Sequence, residues 1–400
     1  MAELSKKVLA QLAALVPDDG GEDDDGEDTD VLDALSPQLR KPSDIFIMQD
    51  PLRPTSMDEI IGQDHVKRSL NIAIDSAVRR ERVLDHVLFT GGPGLGKTTF
   101  ASVIASRQKS NLILDTGPAL TQKKLLEHMA KIITAKKTAE ANPNEVGKTT
   151  LFIDEFHGLP KEAATLLLPI MEDFNFMGMH VPEFTLIAAT TDEAKIPHAL
   201  RERFTRDYNL YYYSTSEIMQ IVTRSFSLIW GLTEKERDKR LADVPGENLF
   251  GFPVKSEERK ALEMIASRST GVPRVANRLL KQVFDLAIDY LPHDRDHKEA
   301  QLTPDIVEEA MSMAGIDKYG LGRAERRIIQ TMFEKHGTTP RSTSAIAAAA
   351  GMKEANVAEV YEPLLLRLGY MQRESRGRVL TDKGVFIAGL IQSGNVPFGD

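Results

Sequence analysis

The stretch Gly-Gly-Pro-Gly-Leu-Gly-Lys-Thr at residues 91–98 decides the fold of this 400-residue chain. It follows the apolar run Val87–Thr90 and opens a helical pattern, which is the strand–loop–helix setting of a phosphate-binding loop. The glycines allow backbone N–H groups to surround phosphate oxygens, and the N-terminus of the following helix adds partial positive charge. Lys97 is expected to reach the β and γ phosphates of ATP, and the Thr98 hydroxyl is expected to bind Mg²⁺. The residues predicted to surround the nucleotide here are Gly91, Gly94, Gly96, Lys97, Thr98 and Thr99.

Two adjacent carboxylates follow a second apolar run, Leu151–Ile153. At the carboxyl edge of a parallel sheet this is where a ligand binds. Asp154 would hold Mg²⁺, directly or through water, and Glu155 would orient or polarise the attacking water. The acid pair and the phosphate-binding loop together predict ATP hydrolysis.

The letters Gly-Lys-Thr occur a second time, at residues 147–149. The spacing of a phosphate-binding loop would need a glycine where Asn142 stands, and the residues that follow are typical of a strand, not a helix. We therefore predict no second nucleotide site there.

Apolar runs alternate with helical patterns between Asp58 and Thr191, which indicates a parallel sheet with helices on both faces. The runs are Val87–Thr90, Leu112–Asp115, Leu151–Asp154 and Phe184–Thr190. From Ser216 to Gly315 helical patterns dominate, and they predict a small helical domain with a polar insertion at Leu232–Lys255. The patterns are Ser216–Ile229, Glu257–Ser267, Val272–Tyr290 and Thr303–Ala314.

Residues 320–392 predict a winged helix, that is, three helices followed by a basic hairpin. The first helix is expected at Ala324–Lys335, a short Ala-rich helix ends at Gly351, and the third runs from Glu354 to Leu368. One face of the third helix is predicted to be apolar and to carry Val357, Val360, Tyr361, Leu364, Leu365 and Leu368. Two strands are expected at Tyr370–Arg373 and Arg378–Thr381.

The charge of the chain is concentrated in its first 36 residues. Of the 50 basic and 59 acidic residues, two and eleven lie there, which leaves 48 of each sign in the rest. Such an acidic segment repels itself and buries little apolar surface, so we expect a mostly disordered tail at residues 1–44. We interpret it as a solubility tail, with a DNA-mimicking or partner-binding role as the alternative.

Neither a membrane span nor a secretory signal is expected, because no apolar run is long enough and the N-terminus lacks a cleavage-site pattern. The chain has no cysteine, which excludes disulfides and thiolate metal sites and fits a reducing cytoplasm.

Several segments, in order along residues 45–390, resemble the RuvB family of bacterial Holliday-junction branch-migration ATPases. They are Asp50–Gln63, Leu84–Phe89, Leu151–His157, Glu172–Phe174, Ala189–Thr191, Leu200–Phe204, Gly271–Arg278, Val360–Pro363 and Gln372–Arg378. The resemblance implies an α/β fold with an AAA+ P-loop domain at residues 45–213, a helical lid domain at 214–315 and a C-terminal winged helix at 316–400. It further implies a homo-oligomer, a hexameric ring, that moves a four-way DNA junction.

The resemblance also implies how the base and ribose are bound. Leu52, Arg53 and Ile61 would lie beside the adenine and ribose, and Tyr213 would close over the base at the hinge between domains. The alternative for Tyr213, which follows Tyr211 and Tyr212, is core packing alone.

Three further residues would act on the bound nucleotide by the same resemblance. Thr191, or Thr190, would bond the γ phosphate or the lytic water, with strand packing as the alternative. Arg274 would report the nucleotide to the lid domain. Arg203 would be the arginine finger that a neighbouring subunit supplies. Arg201 could take that role instead, or Arg203 could form a surface ion pair with Glu202 or Asp207.

The wing carries the expected DNA contacts. Arg373, Arg376 and Arg378 surround a Gly-containing turn, and the positions of Arg373 and Arg378 contact DNA in the family. Such arginines suit phosphate or minor-groove contacts without sequence specificity; a solvated basic turn is the alternative.

The sequence departs from the family at the hairpin that binds the junction-recognising partner RuvA. Only residues 175–183 are available for it, so we expect a shortened hairpin with Phe176, Met177 and Met179 around Gly178. Apolar residues at an exposed turn would mark a contact with a RuvA-like or other adaptor; the alternative is that Phe176 folds onto the sheet.

Two other functions remain open at this point. One is an AAA+ loader or remodeller of DNA-bound proteins, which the shortened hairpin favours. The other is an ATP-gated regulator that reads sequence through Lys353, Asn356 and Glu359, the polar residues near the start of the third helix.

Overall fold

The computed structural model describes residues 50–142, 144–247, 253–254, 256–337 and 339–393. The acidic tail expected at residues 1–44 lies outside the described residues. The chain divides into two compact units between Tyr211 and Tyr212.

The first unit is a five-stranded parallel sheet flanked by helices. Its elements in chain order are α1 (Asp64–Arg79), β1 (Val87–Gly91), α2 (Lys97–Gln108), β2 (Asn111–Thr116), α3 (Gln122–Ala141), β3 (Thr149–Asp154), α4 (Lys161–Asp173), β4 (Asn175–Phe176), β5 (Met179–His180), β6 (Thr185–Thr190), α5 (His198–Arg201) and β7 (Arg206–Leu210). The strand order in the sheet is β2-β3-β6-β1-β7. β6 therefore lies between β1 and β3, with Thr90 level with Thr190 and Ile153 level with Ala188.

The four predicted strands are all present, and three of them, β1, β3 and β6, are buried runs inside the sheet. All six residues of β6 are buried, as are the first four of β1. The fifth strand, β7, was not predicted. It lies at the sheet edge beside β1, where Arg206, Asp207 and Asn209 alternate with buried Tyr208 and Leu210. These polar residues leave β7 without a continuous apolar run, unlike the other edge strand, β2, where Leu112, Ile113 and Leu114 follow one another.

The second unit begins with a helical lid. Its elements are α6 (Thr215–Trp230), α7 (Glu234–Leu241), β8 (Val244–Glu247), β9 (Pro253–Val254), α8 (Glu257–Arg268), α9 (Pro273–Asp289) and α10 (Pro304–Met313). The four predicted helices are confirmed within two residues. The insertion expected to be merely polar contains a helix, α7, which starts with a capping box between Thr233 and Glu236.

The winged helix follows. Its elements are α11 (Arg323–His336), α12 (Thr343–Ala350), α13 (Glu354–Asn356), α14 (Glu362–Arg367), β10 (Met371–Glu374), β11 (Gly377–Leu380) and α15 (Asp382–Gln392). β10 and β11 form the wing hairpin, and Arg341 adds an isolated bridge to Arg378. Helix α15 was not predicted.

The prediction of one apolar face along the third helix is wrong for the middle of that helix. A π-helical segment, Val357–Tyr361, joins α13 to α14, and the Glu362 N–H bonds to the Val357 carbonyl. Pro363 has no N–H to donate and its ring would clash one turn back, which favours the wider turn here. The extra residue rotates the helix, so that Val360 is 59% exposed and Glu362 is buried.

Candidate functional site

The phosphate-binding loop joins β1 to α2 through three glycines with positive φ. These are Gly91 (131°), Gly94 (77°) and Gly96 (107°), values that residues with side chains rarely adopt. A Cβ on Gly91 would lie 2.6 Å from the Leu210 carbonyl oxygen on β7. The loop can therefore keep this shape only with glycine at that position.

Lys97 begins α2 and is buried, with Nζ donating to the carbonyls of Gly91 (2.8 Å) and Gly92 (2.9 Å). The Lys97 side chain therefore folds back, and its ammonium packs against the carbonyl groups at the start of the loop. Thr98 and Thr99 follow in the first turn of the helix and are half-buried. The cradle, its lysine and the helix N-terminus fit the phosphates of a nucleotide.

The acid pair lies at the carboxyl end of β3. Asp154 is half-buried, and its Oδ1 accepts the Glu155 N–H at 2.9 Å. Glu155 is exposed and has a φ of 48°, so its side chain leaves the strand direction immediately. A Cβ on Gly117 would lie 2.3 Å from the Glu155 carbonyl oxygen, so this glycine makes room for the turn.

The end of β6 lies between the loop and the acid pair. The Thr190 side chain is buried, and its hydroxyl bonds to Nδ1 of His157 (3.0 Å) and accepts the Asp192 N–H (3.0 Å). Thr191 is exposed just beyond the strand. Of the two candidates for bonding the γ phosphate, Thr191 has the accessible side chain. His157 was not among the predicted site residues.

The segment expected beside the base lies before α1. Leu52 is buried, Arg53 and Ile61 are half-buried, and the Arg53 N–H donates to the Asp50 carbonyl.

Gln63 connects the segment before α1 to the end of the first unit through two hydrogen bonds. It was not among the site residues predicted from the sequence. Its Nε2 donates to the Tyr211 carbonyl (2.6 Å), and its Oε1 accepts the Tyr211 N–H (3.3 Å). The two residues are 148 positions apart, so sequence spacing gives no sign of this contact.

Arg203 lies after α5, where Nη1 donates to the Ala199 carbonyl and Nη2 pairs with Glu172. The expected alternatives, Glu202 and Asp207, are not the partners: Asp207 pairs with Arg201 (3.7 Å), which also pairs with Glu193. Burial and Glu193 raise the pKa of Asp207, and Arg201 opposes that rise.

Two predicted nucleotide contacts belong to the second unit. Tyr213 is buried, and its N–H donates to the Gly271 carbonyl at 3.0 Å. Gly271 has a φ of 75°, and a Cβ there would lie 2.6 Å from the Tyr213 carbonyl oxygen. Arg274 is exposed in the first turn of α9, just after this close contact.

The wing arginines converge on one buried carboxylate. Glu362 is 1% exposed, and it accepts from Arg373 (2.6 Å) and from Arg378 (3.0 and 3.1 Å). Arg373 remains largely exposed, and Arg376 is exposed at the hairpin turn. The pairing orients the two guanidinium groups while keeping the wing cationic.

The shortened hairpin is the two-residue turn between β4 and β5. Met177 (φ 51°) and Gly178 (φ 85°) have the positive φ values typical of a tight hairpin turn. Phe176 is buried in the core beneath the sheet, so it does not belong to an exposed apolar tip as expected. Met179 is partly buried, which leaves Met177 as the exposed apolar side chain.

This sheet carries a phosphate-binding loop, an acid pair and polar residues at the end of β6, and a helical lid and a winged helix follow it in the chain. Together these features define an AAA+ P-loop ATPase whose C-terminal domain is of a DNA-binding type. A protein of Thermotoga maritima, the Holliday junction branch migration complex subunit RuvB, is 36% identical over 344 residues, 83% of this chain and 90% of the relative. The chain belongs to the RuvB family.

Family models and a solved structure agree with this membership. The Holliday junction DNA helicase RuvB P-loop domain matches residues 52–210, the RuvB AAA lid domain 249–317 and the RuvB C-terminal winged helix domain 318–388. The RuvB subunit of Fusobacterium nucleatum is 34% identical over 88% of this chain and 96% of the relative. The structure of the Thermotoga maritima RuvB branch migration motor superposes with a TM-score of 0.65, covering 84% of this chain and 98% of that chain.

The described part of the chain contains no helix that is long and apolar enough to cross a membrane.

Proposed function

We propose that this chain is an ATP-driven motor that moves the branch point of a Holliday junction in DNA recombination and repair. The observation that carries the proposal is the phosphate-binding loop and acid pair on the same chain as a winged helix with three wing arginines. The relatives are named for branch migration, and they match this chain over nearly their whole length. The proposal also assigns the activity to the cytoplasm, in keeping with a chain that lacks cysteine.

ATP and Mg²⁺ are the proposed cofactors. Lys97 and the loop N–H groups would hold the phosphates, while Thr98 and Asp154 would hold the metal ion. Bound Mg²⁺ supplies charge neutralisation on the transferred phosphoryl group. Glu155 would accept a proton from the attacking water, and Thr191 would orient that water or the γ phosphate.

The base would lie among Leu52, Arg53, Ile61 and Tyr213, with Arg274 on the phosphates from the lid. We propose the domain limits 45–213, 214–315 and 316–400 for these parts.

A ring of identical subunits, six in number, is the proposed assembly. Its support is Arg203, whose guanidinium pairs with Glu172 and not with the acids Asp154 and Glu155 among the described contacts of its own subunit. It would complete the nucleotide site of a neighbouring subunit. The Glu172 pairing would hold Arg203 ready on that surface. In this arrangement DNA passes through the ring, and the wing arginines contact its phosphates without reading sequence.

The test is directional movement of a synthetic four-way junction by the purified full chain. Fluorescently labelled arms should separate with ATP and Mg²⁺, and should remain joined with a non-hydrolysable analogue. A chain that hydrolyses ATP and binds the junction without separating the arms would contradict the proposal.

The second candidate function is a loader or remodeller of DNA-bound proteins. The observation in its favour is the hairpin of β4 and β5, which offers only Met177 as an exposed apolar contact for a RuvA-like or other adaptor. Met177→Ser should weaken the capture of such an adaptor while ATPase activity stays intact. Displacement of a protein roadblock without branch migration would favour this function.

The winged helix also offers a test that distinguishes the proposed motor from a sequence-reading regulator. Lys353, Asn356 and Glu359 are exposed, so the start of the third helix is accessible. Binding dominated by phosphates would fall steeply with salt and would be equal for scrambled sequences. A preference for one sequence in that titration would favour the regulator.

A further inference from the structure

Arg367 is the last residue of α14, yet both of its strongest contacts lie outside the winged helix. Its guanidinium carbon lies 3.8 Å from the centre of the Tyr212 ring, and Nη1 donates to the Thr270 carbonyl. A planar guanidinium can stack on a ring and donate sideways at the same time, which an ammonium cannot. Arg367 therefore joins the DNA-binding domain to the Thr270 turn of the lid and to Tyr212, just before the lid.

Each point that Arg367 touches is adjacent to the proposed nucleotide contacts. Tyr212 directly precedes Tyr213, and Thr270 directly precedes Gly271. Gly271 and Tyr213 are bonded through their backbones and are too close to admit a Cβ at Gly271. The turn at Thr270 leads within four residues to Arg274. A displacement of Arg367 would therefore shift the positions of both Tyr213 and Arg274.

The connection between lid and winged helix is itself held rigidly. Arg326 of α11 donates to the carbonyls of Leu321 (2.7 Å) and Gly315 (3.1 Å), at the two ends of this connection. Asp317 accepts the N–H groups of Tyr319 (2.8 Å) and Leu321 (2.9 Å). These bonds leave the connection little freedom to extend, so a movement of the winged helix is passed on to the lid.

The same connection also presses on the Thr270 turn. A Cβ on Gly320 would lie 2.8 Å from Thr270 Cγ2 and 2.5 Å from the Arg268 carbonyl oxygen. Arg268 is buried and pairs with Glu308 on α10. The turn before Arg274 is therefore enclosed by the lid on one side, and by Gly320 and Arg367 on the other.

We infer that Arg367 is a positioning residue that couples DNA binding by the winged helix to nucleotide binding at Tyr213 and Arg274. This inference rests on the proposed function, because it takes the nucleotide and DNA sites from there. Coupling between two sites is reciprocal, so bound nucleotide must change the affinity for DNA by the same factor as the reverse. Arg367 determines how large that factor is.

The experiment measures junction affinity of the full chain by fluorescence anisotropy, with a non-hydrolysable ATP analogue and with ADP. The ratio of the two affinities reports the coupling and requires no hydrolysis. Arg367→Ala should leave the affinity without nucleotide within about 2-fold of the parental value, and reduce the ratio by roughly 2- to 30-fold, the range for residues that modulate coupling. Tyr212→Leu should cause the same loss, and Arg367→Lys should restore part of it.

Arg240→Ala is the matched control. Arg240 also lies over an aromatic ring, Phe226 (5.2 Å), and also donates to a backbone carbonyl, that of Ala300 (3.0 Å), but both partners belong to the lid. This variant should keep the parental ratio. Thermal unfolding of each variant verifies folding, and Tyr212→Leu decides the matter if Arg367→Ala does not fold.

A parental ratio in folded Arg367→Ala overturns the inference, as does an equal loss in Arg240→Ala. Branch migration by the parental chain is measured separately. A parental chain that migrates junctions but binds them equally with both nucleotides overturns the inference alone. A chain that fails to migrate junctions while its ratio depends on Arg367 contradicts the proposed function alone.

Discussion

Arg203 and Glu172 form an ion pair, with Nη2 of the arginine 2.5 Å from Oε2 of the glutamate. The pair ties the short helix α5 to the end of α4, so the guanidinium has a defined direction. Removing Glu172 should misdirect Arg203 without removing its charge. Glu172→Ala should therefore lower ATP turnover less than Arg203→Ala does.

Arg203→Ala should leave ATP affinity nearly unchanged and reduce turnover strongly, since arginine fingers contribute on the order of 10³ to 10⁵ in rate in GTPases. Mixing Arg203→Ala subunits with Glu155→Gln subunits should recover some steady-state ATPase, because one site then has both groups. A verified mixed ring that stays inactive would show that Arg203 acts within its own subunit.

Substitutions in the phosphate-binding loop and in the acid pair should separate ATP binding from ATP hydrolysis. Lys97→Ala removes the buried ammonium and should abolish binding of a fluorescent ATP analogue. Glu155→Gln keeps the shape of the side chain and should bind the analogue normally, while phosphate release falls to background. Parental turnover in Glu155→Gln would show that another group polarises the water.

Gly117→Ala tests the close contact behind Glu155. The added Cβ would collide with the Glu155 carbonyl, so the variant should be less stable by about 1–3 kcal/mol, as for overpacked sites. ATP turnover should fall more than ATP affinity, because the displaced turn carries Glu155. Gly389→Ala is the control: its Cβ would meet nothing within 4 Å on helix α15, so urea unfolding should show no loss.

The wing arginines should differ in what they do for the fold. Arg376→Ala should reduce the salt dependence of junction binding by roughly one unit of slope and leave stability unchanged. The double change Arg373→Ala with Arg378→Ala should also destabilise the winged helix, by about 3–5 kcal/mol, because Glu362 is left buried without a cation. Adding Glu362→Gln should recover part of the stability but not the affinity. Equal stability of all these variants would contradict the role given to Glu362.

His86 should make stability depend on pH. Burial lowers its pKa from 6.5 to about 4, against the opposing charge of Asp85, and its Nδ1 accepts the Leu186 N–H. Between these two values the unfolded chain binds a proton that the folded chain cannot, so stability is complete above pH 6.5 and falls below it. The loss from pH 7.5 to 5.5 should be about 1 kcal/mol.

Urea unfolding at the two pH values measures this loss, with His86→Gln for comparison. The stability difference between the parental chain and the variant should shrink at pH 5.5, since glutamine does not titrate. A difference that is constant with pH would mean that the pKa of His86 is the same in the folded and the unfolded chain.

The central strands were predictable because strands buried on both faces are continuous apolar runs, whereas the polar edge strand β7 was not. Local motifs likewise predicted where the phosphate loop and the acid pair lie at one sheet edge. Contacts between distant residues gave no sequence signal: Gln63 with Tyr211, Arg203 with Glu172, and the two arginines on Glu362. Phe176 could not be assigned either, because hairpin length alone does not tell whether an apolar residue faces the core.

The π-helical segment before Pro363 has a consequence for how this domain could be altered. It adds one residue to a turn, and so decides which side chains of the third helix face inward. Val357 and Glu362 are both buried although they are five positions apart, so a helix one residue shorter, without Ala358, would hold them four apart on the same face. The same helix with Ala358 kept and a regular spacing would instead bring Val360 inward and carry Glu362 away from Arg373 and Arg378. The wider turn is therefore what lets a third helix of this length hold the carboxylate against the wing.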